Sequence, residues 1–229
     1  MIERVFLDLD DTIFDFHKAE RIAVSATLEE MGVPPREDIL TRYSEINDWH
    51  WKALERGEMT RREVLTHRFR QLFDEIGRPD VSEERTQQIY EYRLGCGHYY
   101  MEGAEQLLRD LHGVYSLYIV SNGTRIVQER RIASAGIAPL FDGIFISQDI
   151  GYDKPRREFF EAVFARIPGF RRESAVIVGD SLTSDILGGI HAGIRTVWFD
   201  PRGKAPVPGI RPDHTVRALS ELPALLRTL

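Results

Sequence analysis

A single cysteine, Cys96, stands in the whole chain. No intramolecular disulfide can form and no multi-cysteine zinc site can be built. No apolar run approaches the roughly 20 residues that cross a bilayer. The opening Met1-Ile2-Glu3-Arg4 lacks the basic-then-apolar pattern of a secretory signal, so a soluble, cytoplasmic protein is expected. Positive charge is in deficit: 30 Lys and Arg against 36 Asp and Glu give a net charge of −6. Binding to nucleic-acid polymers, which calls for a basic face, is therefore not expected. Internal repeats and low-complexity tracts are absent too. What the chain does have is 42% hydrophobic residues in a length of 229. That is ample for a buried core, and it suits one large domain or one domain with an insert.

The readable elements alternate. Val5-Phe6-Leu7 is an unbroken apolar run within Ile2 to Leu9, the pattern of a strand covered on both faces. Comparable runs recur at Tyr115 to Val120, Ile144 to Ile146, Ala175 to Val178 and Thr196 to Phe199. Between them, Gly103 to Leu111, Arg125 to Ala135, Glu158 to Arg166 and Leu182 to Ala192 carry helical periodicity. This alternation predicts an α/β fold, a doubly wound parallel sheet with helices on both faces. From Phe16 to His98 the rhythm breaks and only helical periodicities occur. Thr60-x-x-Glu63 reads there as a capping box, opening a helix whose Val64, Leu65, Phe69, Leu72 and Phe73 share one side. The expected organisation is a catalytic core of residues 1–15 and 99–229, interrupted by an all-helical insert of residues 16–98. Pro201 to Pro212, rich in Pro and Gly, reads as a surface loop before a last short strand and helix.

In open α/β sheets ligands bind beyond the carboxyl ends of the strands. Three of the apolar runs end there in polar clusters: Asp8-Leu9-Asp10-Asp11-Thr12, Ser121-Asn122-Gly123 and Gly179-Asp180-Ser181. Asp8 and Asp10, two apart, can face one site as a strand unravels. One carboxylate can serve as a covalent nucleophile while its neighbour shuttles a proton. With Asp180 and Asp185 the site would gather up to four negative charges, and a phosphoryl substrate would add about two more. It therefore calls for a hard divalent cation with oxygen ligands, which magnesium fits. It also calls for a fixed positive side chain, for which Lys154, directly before Pro155, is placed. Ser121 and the N–H groups of Asn122 and Gly123 could hold phosphoryl oxygens at a helix N-terminus. Taken alone, each cluster has a plainer reading. Asp-x-Asp can be a solvated turn, Ser-Asn-Gly a helix cap and turn, Lys154 a surface lysine and Asp185 a cap.

Asp8-x-Asp10-x-Thr12, Ser121, Lys154-Pro155 and Gly179-Asp180 with Asp185 resemble, in order, the four motifs of the haloacid dehalogenase-like hydrolase superfamily. The helical insert resembles that superfamily's first type of cap. The resemblance implies a Rossmann-like sheet and assigns roles to the matching residues. Asp8 would attack phosphorus and become an aspartyl-phosphate. Asp10 would protonate the leaving oxygen and then deprotonate the hydrolytic water. Thr12 and Ser121 would hydrogen-bond the phosphoryl group, and Lys154 would neutralise it and hold Asp8. Magnesium would be bound by Asp8, the main-chain carbonyl of Asp10 and Asp180, with Asp185 acting through water or by orienting neighbours. Dehalogenases of the superfamily lack the second carboxylate of the first motif, so Asp10 implies phosphatase rather than carbon–halogen chemistry. More narrowly, Tyr118 to Arg125 with Gln128 and Arg131, Asp149 to Pro155, Phe159-Phe160, Arg166 to Phe170 and Gly179 to Asp185 resemble the pyrimidine nucleotidase (5′-nucleotidase) branch. That implies nucleoside 5′-monophosphates as substrates.

The insert is expected to choose the substrate. Asn47 and Trp51 lie four apart and share a helix face. With Phe14 and Phe16 in the linker they could contact the leaving group by sandwiching a base. The plainer alternative makes Trp49, Trp51 and Phe69 the core of the insert, with Tyr90, Tyr92, Tyr99 and Tyr100 as packing and hinge residues. Other functions stay open: a sugar-phosphate or phosphoglycolate phosphatase, a phosphoglucomutase-type transferase, or a non-catalytic receiver-like protein. The expected partner is a small-molecule phosphomonoester, not a membrane or a nucleic-acid polymer.

Overall fold

The computed structural model describes residues 1–229. The chain divides into two compact units, Met1–Asp15 with His98–Leu229, and Phe16–Gly97. The second unit consists of four helices: Phe16–Glu30 (α1), Glu37–Glu55 (α2), Arg61–Glu75 (α3) and Glu83–Gly95 (α4). The Thr60 capping box forms, with the Glu63 N–H donating to Thr60 Oγ1 at 3.3 Å and Glu63 Oε2 accepting the Thr60 N–H at 2.7 Å. Two otherwise orphaned donors are thus satisfied at the start of α3. Tyr43, Phe69, Phe73 and Tyr90 pack as an aromatic core, with ring centroids 5.0 Å apart for Tyr43–Phe69 and 5.5 Å for Phe69–Tyr90. Trp49 does not join it and is exposed. The inward stripe of α2 is Ile39, Leu40, Tyr43, Ile46, Asn47, His50, Ala53 and Leu54, a three-and-four spacing that leaves position 49 outside. Tyr92 is exposed for the same geometric reason, two residues past the buried Tyr90.

The first unit is built on six strands: Arg4–Leu7 (β1), Ser116–Ser121 (β2), Gly143–Ile146 (β3), Ala175–Gly179 (β4), Arg195–Phe199 (β5) and His214–Val216 (β6). All pair in parallel, in the order β3-β2-β1-β4-β5-β6. Its helices are Ala104–Leu111 (α5), Arg125–Ala135 (α6), Ser147–Ile150 (α7), Arg157–Phe164 (α8), Leu187–Ala192 (α9) and Leu222–Leu226 (α10). Side chains alternate across the pleat, so each strand feeds two cores. Val5, Leu7, Leu117, Ile119, Val176 and Val178 pack with Leu107, Leu111, Ile132 and Leu226. Phe6, Tyr118, Val120 and Ile177 pack on the other face with Phe159, Phe160, Val163 and Ala192. The chain is therefore a Rossmann-like α/β fold. The periodicity over Leu182 to Ala192 resolves into two pieces, a π-helical turn Leu182–Ile186 followed by α9. In this strand order the chain winds outward in opposite directions from β1 and β4. The crevice beyond their carboxyl ends is where open sheets take ligands.

Candidate active site

Asp8 follows β1 directly and its N–H donates to Val178 O of β4 at 3.0 Å. The chain then reverses through Asp11, held at φ 55. Aspartate tolerates that left-handed conformation better than most residues. The reversal is closed by the N–H groups of Ile13 and Phe14 donating to Leu9 O at 3.0 and 2.8 Å. Asp10 is thereby placed beyond the carboxyl end of β1, and Thr12 is fully buried. Thr12 Oγ1 has no hydrogen-bond partner in the protein, although burying a hydroxyl unbonded is unfavourable. It is an orphaned hydroxyl two residues after Asp10.

Lys154 is 1% exposed and its Nζ spends its protons on three acceptors. They are Asp8 Oδ1 at 2.6 Å, Val120 O at 2.7 Å and Asp185 Oδ1 at 2.7 Å. Burial alone would push the ammonium down, but Asp185 and Asp8 outweigh it and hold Lys154 above its ordinary value, so it stays charged. Asp8 is pushed well up, first by burial, then by Asp185, with Lys154 opposing and Asp10 and Asp180 adding to the rise. Asn122 serves this loop rather than solvent: its Nδ2 donates to Lys154 O and its Oδ1 accepts the Lys154 N–H, both at 2.9 Å. Ser121 Oγ accepts the Gly123 N–H at 3.1 Å.

Asp185 sits on the π-helical turn, where its Oδ2 accepts the Ser181 N–H at 3.1 Å. Gly179 is required there, because a Cβ at that position would lie 2.3 Å from the Asp185 carboxyl. One oxygen each from Asp8, Asp180 and Asp185 lies within 4.8 Å of the others. Three hard carboxylate donors so close, with Asp8 repelled by its neighbours, fit a divalent cation such as magnesium. The Asp10 carboxylate is not one of these three and is engaged elsewhere. Arg131 Nη1 bonds Asp10 Oδ1, and Gln128 Nε2 donates to Oδ2 at 2.5 Å.

The charge count from sequence changes at this point. Lys154 is not the sole cation: Arg131 pairs with Asp10, and Lys204 Nζ reaches Asp180 Oδ2 at 2.6 Å from the Pro- and Gly-rich loop. Asp180 is still pushed up to about 6, by burial first, with Lys204 opposing and Asp11 and Asp185 adding. Gln128 and Arg131 were visible only as part of a resemblance, and Lys204 carried no signal beyond lying in a loop.

Two of the expected leaving-group contacts are used up within their own units. Phe14 belongs to the first unit and is fully buried, with Arg131 Cζ 5.1 Å above its ring and Tyr100 5.3 Å away. It has no face left for a base. Asn47 is buried in the helical unit, donating to Glu20 at 2.6 Å and accepting from Arg68 at 2.5 Å. Both functions of its amide are used, so it is corrected to a structural residue. Trp51 is half-buried with the Arg61 guanidinium 5.4 Å over its ring, and Phe16 neighbours His17.

A model of the family described as haloacid dehalogenase-like hydrolase matches residues 2–193. YfnB of Bacillus subtilis, named for the same hydrolase family, is 41% identical over 218 residues, 95% of this chain and 92% of that protein. A crystal structure of YfnB bound to magnesium has a TM-score of 0.94 at 40% identity, over 98% of each chain. The pyrimidine 5′-nucleotidase PynA of Streptococcus pneumoniae is 33% identical over 219 residues, 95% of this chain and 92% of its own. The pyrimidine 5′-nucleotidase YjjG of Escherichia coli is 27% identical over 222 residues, 97% and 96%.

Proposed function

Since the chain belongs to the haloacid dehalogenase-like hydrolases, we propose that it is a magnesium-dependent phosphomonoesterase acting on pyrimidine nucleoside 5′-monophosphates. The observation that carries the chemistry is the gathering of Asp8, Asp10, Lys154, Asp180 and Asp185 beyond the ends of β1 and β4. A carboxylate oxygen of Asp8 attacks phosphorus as the ester P–O bond breaks. The leaving oxygen takes its proton from Asp10. Water then attacks the aspartyl-phosphate, giving a proton back to Asp10, and the P–O bond to Asp8 breaks to restore the carboxylate. Lys154 holds Asp8 in place throughout and offsets phosphoryl charge. Thr12 Oγ1, unpartnered in the protein, and the Ser121 hydroxyl, whose oxygen accepts from Gly123 and Gln128, are the hydroxyls that donate to phosphoryl oxygens. Bound magnesium, held by Asp8 and Asp180, would supply the positive charge that lets a dianion enter a cluster of carboxylates.

The nucleotide preference is supported by the likeness to PynA and YjjG, which runs through both units of the chain. The purified protein with Mg2+ is assayed for phosphate release from dUMP, dTMP and UMP beside sugar phosphates and phosphoglycolate. Faster turnover of the nucleotides is expected. A preference for sugar phosphates or phosphoglycolate would replace the substrate reading, and no release from any ester would sink the phosphatase reading.

A further inference from the structure

Two side chains of α6 touch the reacting carboxylate without a part in the steps above. Gln128 and Arg131 lie three apart, on one helix face, and are 1% and 0% exposed. Arg131 Nη1 bonds Asp10 Oδ1 and also donates to Gln128 Oε1 at 3.1 Å. Gln128 Nε2 donates to Asp10 Oδ2 at 2.5 Å and to Ser121 Oγ at 2.9 Å. The amide can point only one way, since its nitrogen faces two acceptors and its oxygen a guanidinium. Gly123 makes room for it: a Cβ there would lie 2.1 Å from Gln128 Nε2.

The arrangement is poorly suited to stability alone. A buried guanidinium is favourable when its donors are used, yet Arg131 Nε and Nη2 have no hydrogen-bond partner. Only the nitrogen facing Asp10 and Gln128 is engaged, and Phe14 packs against the guanidinium. Each Asp10 oxygen receives one donor from this pair, which leaves a second lone pair on each for a proton. The Asp10 side chain remains 27% exposed.

We propose that Arg131 and Gln128 are positioning residues that lock the rotation of the Asp10 carboxylate and couple it, through Gln128, to the Ser121 hydroxyl. This rests on Asp10 being the acid and base of a phosphomonoesterase. A carboxylate that must face first a leaving oxygen and then a water gains from a fixed orientation, because small misplacements of reacting groups lower rates steeply.

The test uses the full chain with Mg2+ and two esters, a nucleoside monophosphate and p-nitrophenyl phosphate, whose leaving group needs no proton. Arg131→Met is expected to lower kcat on the nucleotide by about 10- to 100-fold, the usual loss when an orienting partner is removed. KM and the Mg2+ half-saturation stay within about threefold, and Arg131→Lys recovers part of the rate. On p-nitrophenyl phosphate the pre-steady-state burst of nitrophenolate keeps its wild-type rate while the steady state falls, because only water activation still needs Asp10. In the Asp10→Asn background, Arg131→Met adds no further loss. Equal loss in burst and steady state, a defect confined to KM, or additive losses in the double variant would overturn the proposal. Should Arg131→Met not fold, Gln128→Met and Arg131→Lys are read by the same burst comparison, and wild-type rates in both overturn it. A wild-type protein inert on both esters overturns the phosphatase reading and this one together, whereas an active wild type with an unaffected Arg131→Met overturns this one alone.

Discussion

Lys154 is the residue whose removal the site can least absorb. Its three bonds tie two carboxylates and the end of β2 to one buried nitrogen. Replacing it with methionine leaves Asp8 and Asp185 buried and facing each other without a cation. Breaking a buried pair by deleting one partner costs about 3–5 kcal/mol, so Lys154→Met is expected to lose that much stability in urea titrations. Added Mg2+ should restore part of it by binding the carboxylates that have lost their lysine. Asp8→Asn is expected to behave in the opposite way. It relieves a carboxyl already pushed up by burial and by Asp185, and Lys154 keeps Asp185 and Val120 O. Its Tm should stay within about 3 °C of wild type, while phosphatase kcat falls by about 10⁴ or more. Retained turnover would remove Asp8 from the nucleophile's role.

At the scale of elements, the helical unit carries its own pH response. Glu20 on α1 accepts from Ser44 and Asn47 of α2, and Asn47 and Gln87 accept from Arg68 of α3. Burial nevertheless pushes the Glu20 carboxyl above its usual 4.5, with Ser44, His17, Arg68 and Asn47 opposing. The folded state therefore holds a proton that the unfolded chain has already released. Its contribution is full at and below about 4.5 and is lost as pH rises through the raised folded value. Thermal unfolding of wild type and Glu20→Gln should diverge across that window, the variant gaining relative Tm as pH rises. Parallel curves would show that Glu20 is not the titrating group. This network illustrates what a sequence hides. The strands and α6 are legible because the apolar period is local, and the Thr60 cap because its partners are three residues apart. Asn47 reads as a leaving-group contact from its spacing to Trp51, since nothing nearby in the sequence reveals that it bonds Glu20 and Arg68. The Asp10–Arg131 contact spans 121 residues, and only the folded sheet brings its ends together.

For the whole molecule, the deficit of positive charge becomes a matter of placement. The net charge is −6, yet four aspartates at the mouth of the sheet face three cations, Lys154, Arg131 and Lys204. Two of those cations are buried and fixed, while Lys204 comes from an exposed loop and sits on Asp180, one of the oxygens a metal would use. Metal binding at Asp180 therefore competes with a lysine and, at low pH, with a proton. Burial pushes the Asp180 carboxyl up to about 6, so below that pH protons compete increasingly with a metal for it. Any ligand that binds only the folded state stabilises it by RT ln(1 + [L]/Kd), about 2.7 kcal/mol at a hundredfold excess over Kd. Saturating Mg2+ is expected to raise Tm by roughly 5–10 °C at pH 7.5, from the size scaling of unfolding entropy. The increment should shrink as pH falls through about 6. Lys204→Met should enlarge it at pH 7.5 by removing the competitor for Asp180, and should move its fall to higher pH, because Lys204 opposes the rise of that carboxyl. A Tm increment independent of pH between 5 and 7.5, unaltered by Lys204→Met, would mean that the cation binds away from Asp180.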